Sequence, residues 1–334
     1  MKNRQWILAA HPKGEVTAET WSLVDGEMPQ PGNGQILVKA RWLSVDPYMR
    51  GKVNAGAGMN VGDVMLGGGV GEVIESRHPD WKAGDMVEAL ELGWQDYAVL
   101  SPDIAGPARP NRVDASLAPP QSALSWLGMP GLTAYFAMLD VARPRPGDTV
   151  VVSAAAGAVG QIAGQLAKLA GCRVIGIAGS DDKLEWCRSI GFDEMINYKA
   201  VDDLAAAVGK ACPGGVNVFF DGTGGAVHDA VLANLALWAK VVIVGKVAVA
   251  SKAPSEDIGL RSSAKMIATR ATVQGFVVYD WWHRRAEALQ RLAAWRAAGS
   301  LQFREDIAQG LESVPDAFIR MMRGENLGKQ LVAL

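Results

Sequence analysis

The chain has 334 residues, 49% of them hydrophobic and 20% charged, with 33 Lys plus Arg set against 35 Asp plus Glu. At about 150 residues per domain this length holds about two domains, and the composition is that of a folded globular protein, not a disordered or fibrous one. A net charge of −2 leaves no basic excess to attract nucleic acid or an acidic membrane.

From the N-terminus, Met1-Lys2-Asn3-Arg4-Gln5 leads into five apolar residues (6–10) before His11-Pro12-Lys13, too short a run for a secretory signal. Up to about residue 125 the chain is short β-type runs punctuated by Gly and Pro: residues 35–40, 70–74, 86–89 and 97–100. These predict an irregular all-β region. From Leu124 the rhythm changes, with longer helix-like stretches separating apolar runs at 149–153, 172–177, 216–220 and 240–245. Such runs lack polar alternation, as strands do when helices cover both faces of a parallel sheet. Helical spacing predicts helices over 161–170, 181–189 and 226–237, then a helix-like run over 283–298 and a strand-like end over 328–334. The expected fold class is α/β, a β-rich domain followed by a doubly wound parallel-sheet domain.

Cys172, Cys187 and Cys212 are 15 and 25 residues apart. That excludes a C-x-x-C motif, and an odd number argues against a disulfide framework, so they read as reduced thiols of a cytoplasmic protein. The most apolar stretch, 232–250, is broken by Asn234, Lys240 and Lys246 and reads as a buried strand, not a membrane span. The Trp281-Trp282 pair and the other tryptophans are scattered and read as core or interface packing.

The strongest local signal is Val150-Val151-Val152-Ser153-Ala154-Ala155-Ala156-Gly157-Ala158-Val159-Gly160, followed directly by a predicted helix. Gly157 and Gly160 take the second and third glycine places of a G-x-G-x-x-G turn, and Ala155 takes the first. Such a strand-to-helix turn lets the backbone approach a pyrophosphate, whose charge meets free N–H groups at the helix N-terminus. The alternative, glycines that merely pack a helix on a strand, leaves the matching order of strand, turn, helix and next strand unexplained. An NAD site places Asp or Glu at the end of the next strand, about 20 residues on. This chain has Ile177-Ala178-Gly179-Ser180-Asp181-Asp182-Lys183 there. Small residues and a cation leave room and counter-charge for a 2′-phosphate, favouring NADPH; the other reading of Lys183 is a solvated first-turn residue.

Missing chemistry narrows the choice further. The histidines are His11, His78, His228 and His283, none with a partner at ligand spacing, and no cysteine precedes Cys172. The β-rich half therefore offers no zinc-ligand set. There is no G-x-S-x-G elbow and no P-loop.

Seven ordered motifs then carry a resemblance: Val45-Asp46-Pro47-Tyr48-Met49-Arg50-Gly51, Gly128-Met129-Pro130-Gly131-Leu132-Thr133-Ala134-Tyr135, the glycine loop, Gly179-Ser180-Asp181-Asp182-Lys183, Asn197-Tyr198-Lys199, Gly275-Phe276-Val277-Val278-Tyr279 and Gly324-Glu325-Asn326-Leu327-Gly328-Lys329. Together they resemble the zinc-independent medium-chain dehydrogenases/reductases, in the group of prostaglandin reductases, leukotriene hydroxydehydrogenases, curcumin reductases and alkenal double-bond reductases. The resemblance implies a GroES-like domain over 1–126, an NADPH-binding Rossmann domain over 127–303 and a C-terminal return to the first domain over 304–334, with the active site in the cleft between domains. Where zinc-dependent relatives carry Gly-His-Glu, this chain has Gly67-Gly68-Gly69-Val70-Gly71-Glu72.

Carried over by position, Gly157, Ala158, Val159 and Gly160 hold the pyrophosphate, and Gly179, Ser180 and Lys183 the 2′-phosphate side. Tyr198 and Asn326 touch NADPH, and Met129, Thr133, Phe276, Val277 and Val278 lie near its nicotinamide half. Pro47, Gly222, Val244 and Gly245 complete the expected cofactor contacts. Two segments depart from the family: Asp221-Gly222-Thr223-Gly224-Gly225 replaces Asp-Asn-Val-Gly-Gly, and Gly245-Lys246-Val247-Ala248-Val249 replaces a segment of Gly-Ala-Ile-Ser character. The first removes an asparagine contact to the cofactor.

The expected reaction is NADPH-dependent reduction of the carbon–carbon double bond of a small-molecule α,β-unsaturated ketone or aldehyde, with hydride going to the β-carbon and a proton to the enolate. Tyr48 and Tyr279 are the candidate catalytic residues, as phenols able to donate to the carbonyl end; the alternative for each is a packed ring with a wet hydroxyl. A quinone reductase of the same superfamily and a non-catalytic NADPH-binding sensor share the same cofactor residues, and a zinc alcohol dehydrogenase is a more distant alternative. The family implies a homodimer, with 240–245 and 276–282 as contact candidates.

Overall fold

The computed structural model describes residues 2–253 and 255–334. The chain forms two compact units: Met1–Gly128 with Glu305–Asn326 and Gln330–Leu334, and Met129–Arg304 with Leu327–Lys329. Among the described residues no helix is long and apolar enough to cross a membrane.

In the first unit, β1 (Lys2–Leu8) and β2 (Trp21–Glu27) pair antiparallel, Lys2 opposite Glu27 and Leu8 opposite Trp21. The main sheet is built on β3 (Ile36–Ser44), followed by the short α1 (Tyr48–Lys52), β4 (Gly69–Ser76), β5 (Met86–Ala89), β6 (Tyr97–Leu100) and β7 (Asn111–Arg112). The runs predicted at 86–89 and 97–100 are strands over those residues. β3 outruns the predicted 35–40 because it changes partners: β6 pairs with Ile36 to Lys39, and the C-terminal strand pairs with Trp42 to Ser44. Arg41, which broke the apolar pattern, is ion-paired with Glu72.

The remainder of this unit comes from the end of the chain: β14 (Glu305–Gln309), α9 (Val314–Met322) and β15 (Lys329–Ala333). α9 buries Val314, Ala317, Phe318 and Met321, one stripe at helical spacing. The Phe318 ring lies 5.5 Å from Trp21 and 5.8 Å from Trp94, which are 5.3 Å from each other. This fully packed aromatic cluster ties the C-terminal helix to elements near the N-terminus.

The second unit opens with α2 (Met129–Phe136), then alternates β8 (Thr149–Ser153), α3 (Gly160–Leu169), β9 (Arg173–Ala178), α4 (Asp181–Ser189), β10 (Glu194–Asn197), α5 (Leu204–Ala211), β11 (Val216–Asp221), α6 (Gly225–Leu232), β12 (Leu235–Ile243), α7 (Ser263–Thr269), β13 (Thr272–Gly275) and α8 (Arg285–Ala297). All six strands are parallel, in the order β10-β9-β8-β11-β12-β13. The chain winds outward from β8 in one direction and then, from β11, in the other. The crevice at the carboxyl ends of β8 and β11 is where such sheets take dinucleotides.

The predicted helix 226–237 ends five residues early. Asn234 stops it by donating its side-chain amide to the Ala205 and Ala230 carbonyls, and the chain turns straight into β12. Leu232, Leu235 and Leu237 imitate a helical stripe, but Leu235 pairs with Val216 while Lys240 pairs with Val218. The extra residues form a bulge at Trp238, which is 69% exposed and left-handed at φ 62°. Likewise the run predicted from 283 is a 3-10 turn (Val278–Arg284) before α8 begins.

Phe318→Ala is expected to destabilise the protein by about 3–5 kcal/mol, read as a shift of the denaturant midpoint of the first unit's tryptophan signal. A change under about 1 kcal/mol would mean that the aromatic cluster does not hold α9.

Candidate functional site

The turns that follow β8, β9, β11, β12 and β13 line the carboxyl edge of the parallel sheet. After β8, the Gly157 N–H closes a tight turn on the Ala154 carbonyl at 2.8 Å. Ala154 is left-handed at φ 47° without being glycine, a conformation that costs about 1–3 kcal/mol and clusters at functional turns. Gly160 opens α3 so close to this turn that a Cβ on it would sit 2.3 Å from the Ala154 carbonyl. The backbone of Gly157, Ala158, Val159 and Gly160 is thus fixed at a helix N-terminus, where an anion is favoured.

The glycine loop is also held by residues that the sequence reading did not single out for that purpose. The Gly328 N–H donates to the Ala156 carbonyl at 3.0 Å, and Gly328 bridges Gly157 in parallel fashion. Gly328 has φ +86°, and a Cβ there would meet the Arg304 carbonyl at 2.0 Å. On α3, Gln161 pairs with both backbone groups of Arg304 at 2.9 and 3.1 Å, and Gln165 with both of Gln302 at 2.7 and 2.8 Å. Two buried amides four residues apart on an otherwise apolar helix face were the available signal.

At the end of β9, Gly179 leaves its Cβ position to the Tyr198 ring, 2.8 Å away, and the Tyr198 N–H donates to the Ala178 carbonyl. Ser180 is the extended N-cap residue of α4, yet its side chain makes no capping bond, and Lys183 lies in the helix's first turn. The first carboxylate past the strand, Asp181, accepts from the Asn197 side chain at 3.2 Å. The strand end itself, Ala178-Gly179-Ser180, carries no carboxylate.

At the end of β11, Asp221 is fully buried and its carboxylate organises the turn. Oδ1 accepts from the Ser153 hydroxyl at 3.0 Å, the Thr223 N–H at 2.9 Å, the Thr223 hydroxyl at 3.2 Å and the Gly224 N–H at 3.1 Å. Oδ2 accepts from His228 Nδ1 at 2.7 Å, and the Ser153 hydroxyl accepts from the Gly222 N–H at 2.9 Å. Burial works to raise the Asp221 carboxyl, but the His228 hydrogen bond and the N–H groups of Gly224 and Thr223 outweigh it and hold the group below the usual carboxylate range. The His228 imidazole is raised by its hydrogen bond to Asp221 against the opposing effect of burial, with the charges of Asp221, Asp229 and Asp257 adding to the rise. This Ser–Asp–His set is not a nucleophile: serine and histidine both point at the aspartate, whereas a triad needs histidine on the serine.

After β12, the Val244 and Gly245 N–H groups both donate to the Asp221 carbonyl, and Ala248 N–H donates to that of Thr223. After β13, Phe276 is buried and stacks on Trp281 at 4.7 Å, Val278 is buried, and Val277 and Tyr279 (42%) are exposed. Met129 and Thr133 are half-buried on a helix whose other residues are buried. In the other unit, Pro47 precedes α1, Tyr48 is 39% exposed, and Arg50 is buried with its guanidinium on Asn54 Oδ1 at 2.6 Å and on the Gly14 carbonyl. Asn326, half-buried beyond α9, also belongs to that unit.

The edge of the second unit's sheet fits NADPH. A Cβ on Gly222 would find nothing nearer than 3.8 Å, so the missing side chain leaves open space at the crevice itself. The pyrophosphate-type turn, the small residues at the end of β9 and the Lys183 cation beyond Asp181 and Asp182 in the first turn of α4 agree with a 2′-phosphorylated dinucleotide. Among the described residues no three His, Cys, Asp or Glu side chains gather as a metal ion would require.

Comparison with known proteins agrees with this geometry. Residues 4–105 match the family described as "N-terminal domain of oxidoreductase", and residues 158–294 that described as "Zinc-binding dehydrogenase". The chain is 37% identical to the NADPH-dependent curcumin reductase of Escherichia coli, over 99% of this chain and 96% of that one. It is 38% identical to prostaglandin reductase 1 of Bos taurus, over 98% of each. The crystal structure of CurA in complex with NADPH from Vibrio vulnificus is 37% identical and superposes with a TM-score of 0.91, covering 99% of this chain and 98% of that chain.

Because Gly328 pairs with the glycine loop from the far end of the sequence, Gly328→Ala is expected to raise the NADPH dissociation constant about tenfold. Fluorescence titration of the cofactor checks this, and unchanged binding would show that the loop keeps its shape without the C-terminal segment.

Proposed function

This chain belongs to the medium-chain dehydrogenase/reductase family, in its group of curcumin and prostaglandin reductases, and from that premise we propose that it reduces the carbon–carbon double bond of α,β-unsaturated ketones or aldehydes. It is an NADPH-dependent oxidoreductase. The observation that carries the reading is the sheet edge of the second unit, where an open glycine turn, a small-residue strand end and Lys183 occur together; the substrates named for the relatives supply the substrate class.

Bound NADPH supplies the hydride, so the chain has to orient the reactants and stabilise charge. The backbone of Gly157 to Gly160 would hold the pyrophosphate, Lys183 with Gly179, Ser180 and Tyr198 would hold the 2′-phosphate side, and the family resemblance assigns Asn326 and Pro47 further cofactor contacts. Gly222, Val244, Gly245, Phe276, Val277, Val278, Met129 and Thr133 line the nicotinamide half. As the double bond is reduced, negative charge builds on the substrate carbonyl oxygen. Tyr48 and Tyr279 are each a candidate donor to it, and a donor placed where charge develops lowers the barrier.

The reading extends to a homodimer. β13 is an edge strand whose four residues are all exposed, and an uncovered edge favours pairing with a second copy. Three free, buried cysteines suit a reducing cytoplasmic setting.

NADPH oxidation measured with a panel of trans-2-alkenones, alkenals and quinones tests the activity, and turnover of quinones alone overturns it. Lys183→Ala is expected to raise the KM for NADPH about tenfold while leaving that for NADH unchanged. Tyr48→Phe or Tyr279→Phe is expected to lower kcat about 100-fold if that phenol is the carbonyl donor; an unchanged kcat removes that tyrosine from the role. Val273→Lys, placing a charge on the β13 edge, is expected to shift the sedimenting species to monomer, and a wild-type monomer overturns the dimer.

A further inference from the structure

The motif reading assigned Gly222 a cofactor contact but left His228 and Asp221 without a role. The structure places them directly behind the turn that follows β11, with Asp221 fully buried. The Asp221 side chain reaches three elements at once: Ser153 at the end of β8, from which the glycine loop springs; Thr223 and Gly224 in the turn beyond β11; and His228 on α6. Its backbone carbonyl takes both N–H groups of Val244 and Gly245. The turns expected to face the pyrophosphate and the nicotinamide half therefore share one anchor.

We propose that His228, acting through Asp221, is a positioning residue of the NADPH site, holding the Gly222 to Gly224 turn and Ser153 in the arrangement that receives the cofactor. The proposal rests on the placement of NADPH at the Gly157 to Gly160 loop. His228 touches neither cofactor nor substrate in this assignment. It supplies the donor on Oδ2 that balances a buried carboxylate whose Oδ1 is already committed to the turn, and a buried charge stripped of one partner pulls its remaining partners out of place.

The charge on the imidazole gives this role a pH signature. The groups facing His228 are Asp221 from β11, Asp229 from its own helix and Asp257 from the segment beyond β12. On the β12 side Lys246 lies beside Gly224, its Cβ 3.5 Å from where a Cβ on Gly224 would sit. Three carboxylates hold the imidazole above its ordinary value, so the charged form is present below that raised value and is lost as pH rises through it. The hold on the turn is then tightest at low pH and relaxes toward that of a neutral donor at high pH.

The test measures NADPH dissociation constants by calorimetry between about pH 6 and pH 9 for the wild type, His228→Asn, His228→Leu and Gly157→Val, with melting temperatures alongside. Asn keeps a neutral N–H at the Nδ1 position. Its dissociation constant is expected to exceed the wild-type value about tenfold at the acid end and to come within about twofold at the alkaline end. Titration of the cofactor's own phosphate affects both proteins alike and drops out of the ratio. His228→Leu, with no donor, is expected to bind more weakly than wild type at every pH. A ratio that does not change with pH, or a lowered melting temperature with wild-type affinity, overturns the proposal and leaves His228 a structural residue. If Gly157→Val binds NADPH like the wild type, the loop placement itself is wrong; if Gly157→Val loses binding while both His228 variants keep it, only the role of His228 is lost.

Discussion

A carboxylate buried in a protein interior costs several kcal/mol unless donors replace the water it has lost, and in this fold Asp221 is that carboxylate. Its donors come from the turn after β11 and from α6, both next to it in the chain, and from Ser153 on β8, which only the parallel sheet brings near. Satisfying this one charge ties the turn and helix that follow β11 to the carboxyl ends of β8 and β11, already paired as neighbours in the sheet. That is the place where strand order reverses and the crevice opens. Asp221 lies at 0% exposure and pairs in register with Ile243, and its backbone carbonyl accepts from Val244 and Gly245 in the turn after β12, so that turn is held by the same residue.

Behind the glycine loop a different constraint operates. The loop must present its N–H groups outward, which leaves its carbonyls, including that of Ala156, needing partners on the other side. Gly328 supplies one. The segment around Arg304 is held in turn by side-chain amides, Gln161 and Gln165 standing in for a neighbouring strand's backbone. Such pairing satisfies donor and acceptor together, so neither amide is left with an unmet group in the interior. The segments on either side of the C-terminal excursion are therefore fastened to the element that carries the pyrophosphate-type turn.

These two arrangements mark where the sequence was legible and where it was not. β8 and α4 were readable to the residue because their signals are local: an unbroken Val run in one, and Ser180 followed by two acids in the other. The glycine loop was readable because its requirement is steric and confined to a few residues. β10 and β13, four residues each, carry too little apolar periodicity to stand out, and β13 has none because all its residues face solvent. The end of α6 was misplaced because leucines spaced for a helix also serve a bulged strand, and the tie between Asn234 and Ala205 that decides the matter is tertiary. Only part of the role of Asp221 was hidden for the same reason: Ser153 lies 68 residues away, whereas Thr223, Gly224 and His228 follow it closely in the chain.

The departure from the family at Gly222 takes on a physical meaning in this light. An asparagine there would contribute a side-chain contact of its own; glycine contributes none and leaves the space open. What the turn then offers a cofactor is backbone alone, and backbone holds its geometry only as firmly as the groups behind it. Thr223 next door adds both a hydroxyl and an N–H to Asp221, and His228 secures the opposite oxygen. On the crevice side the turn lacks a polar side chain at Gly222, and behind it the buried Asp221 carboxylate holds the turn through Ser153, Thr223, Gly224 and His228.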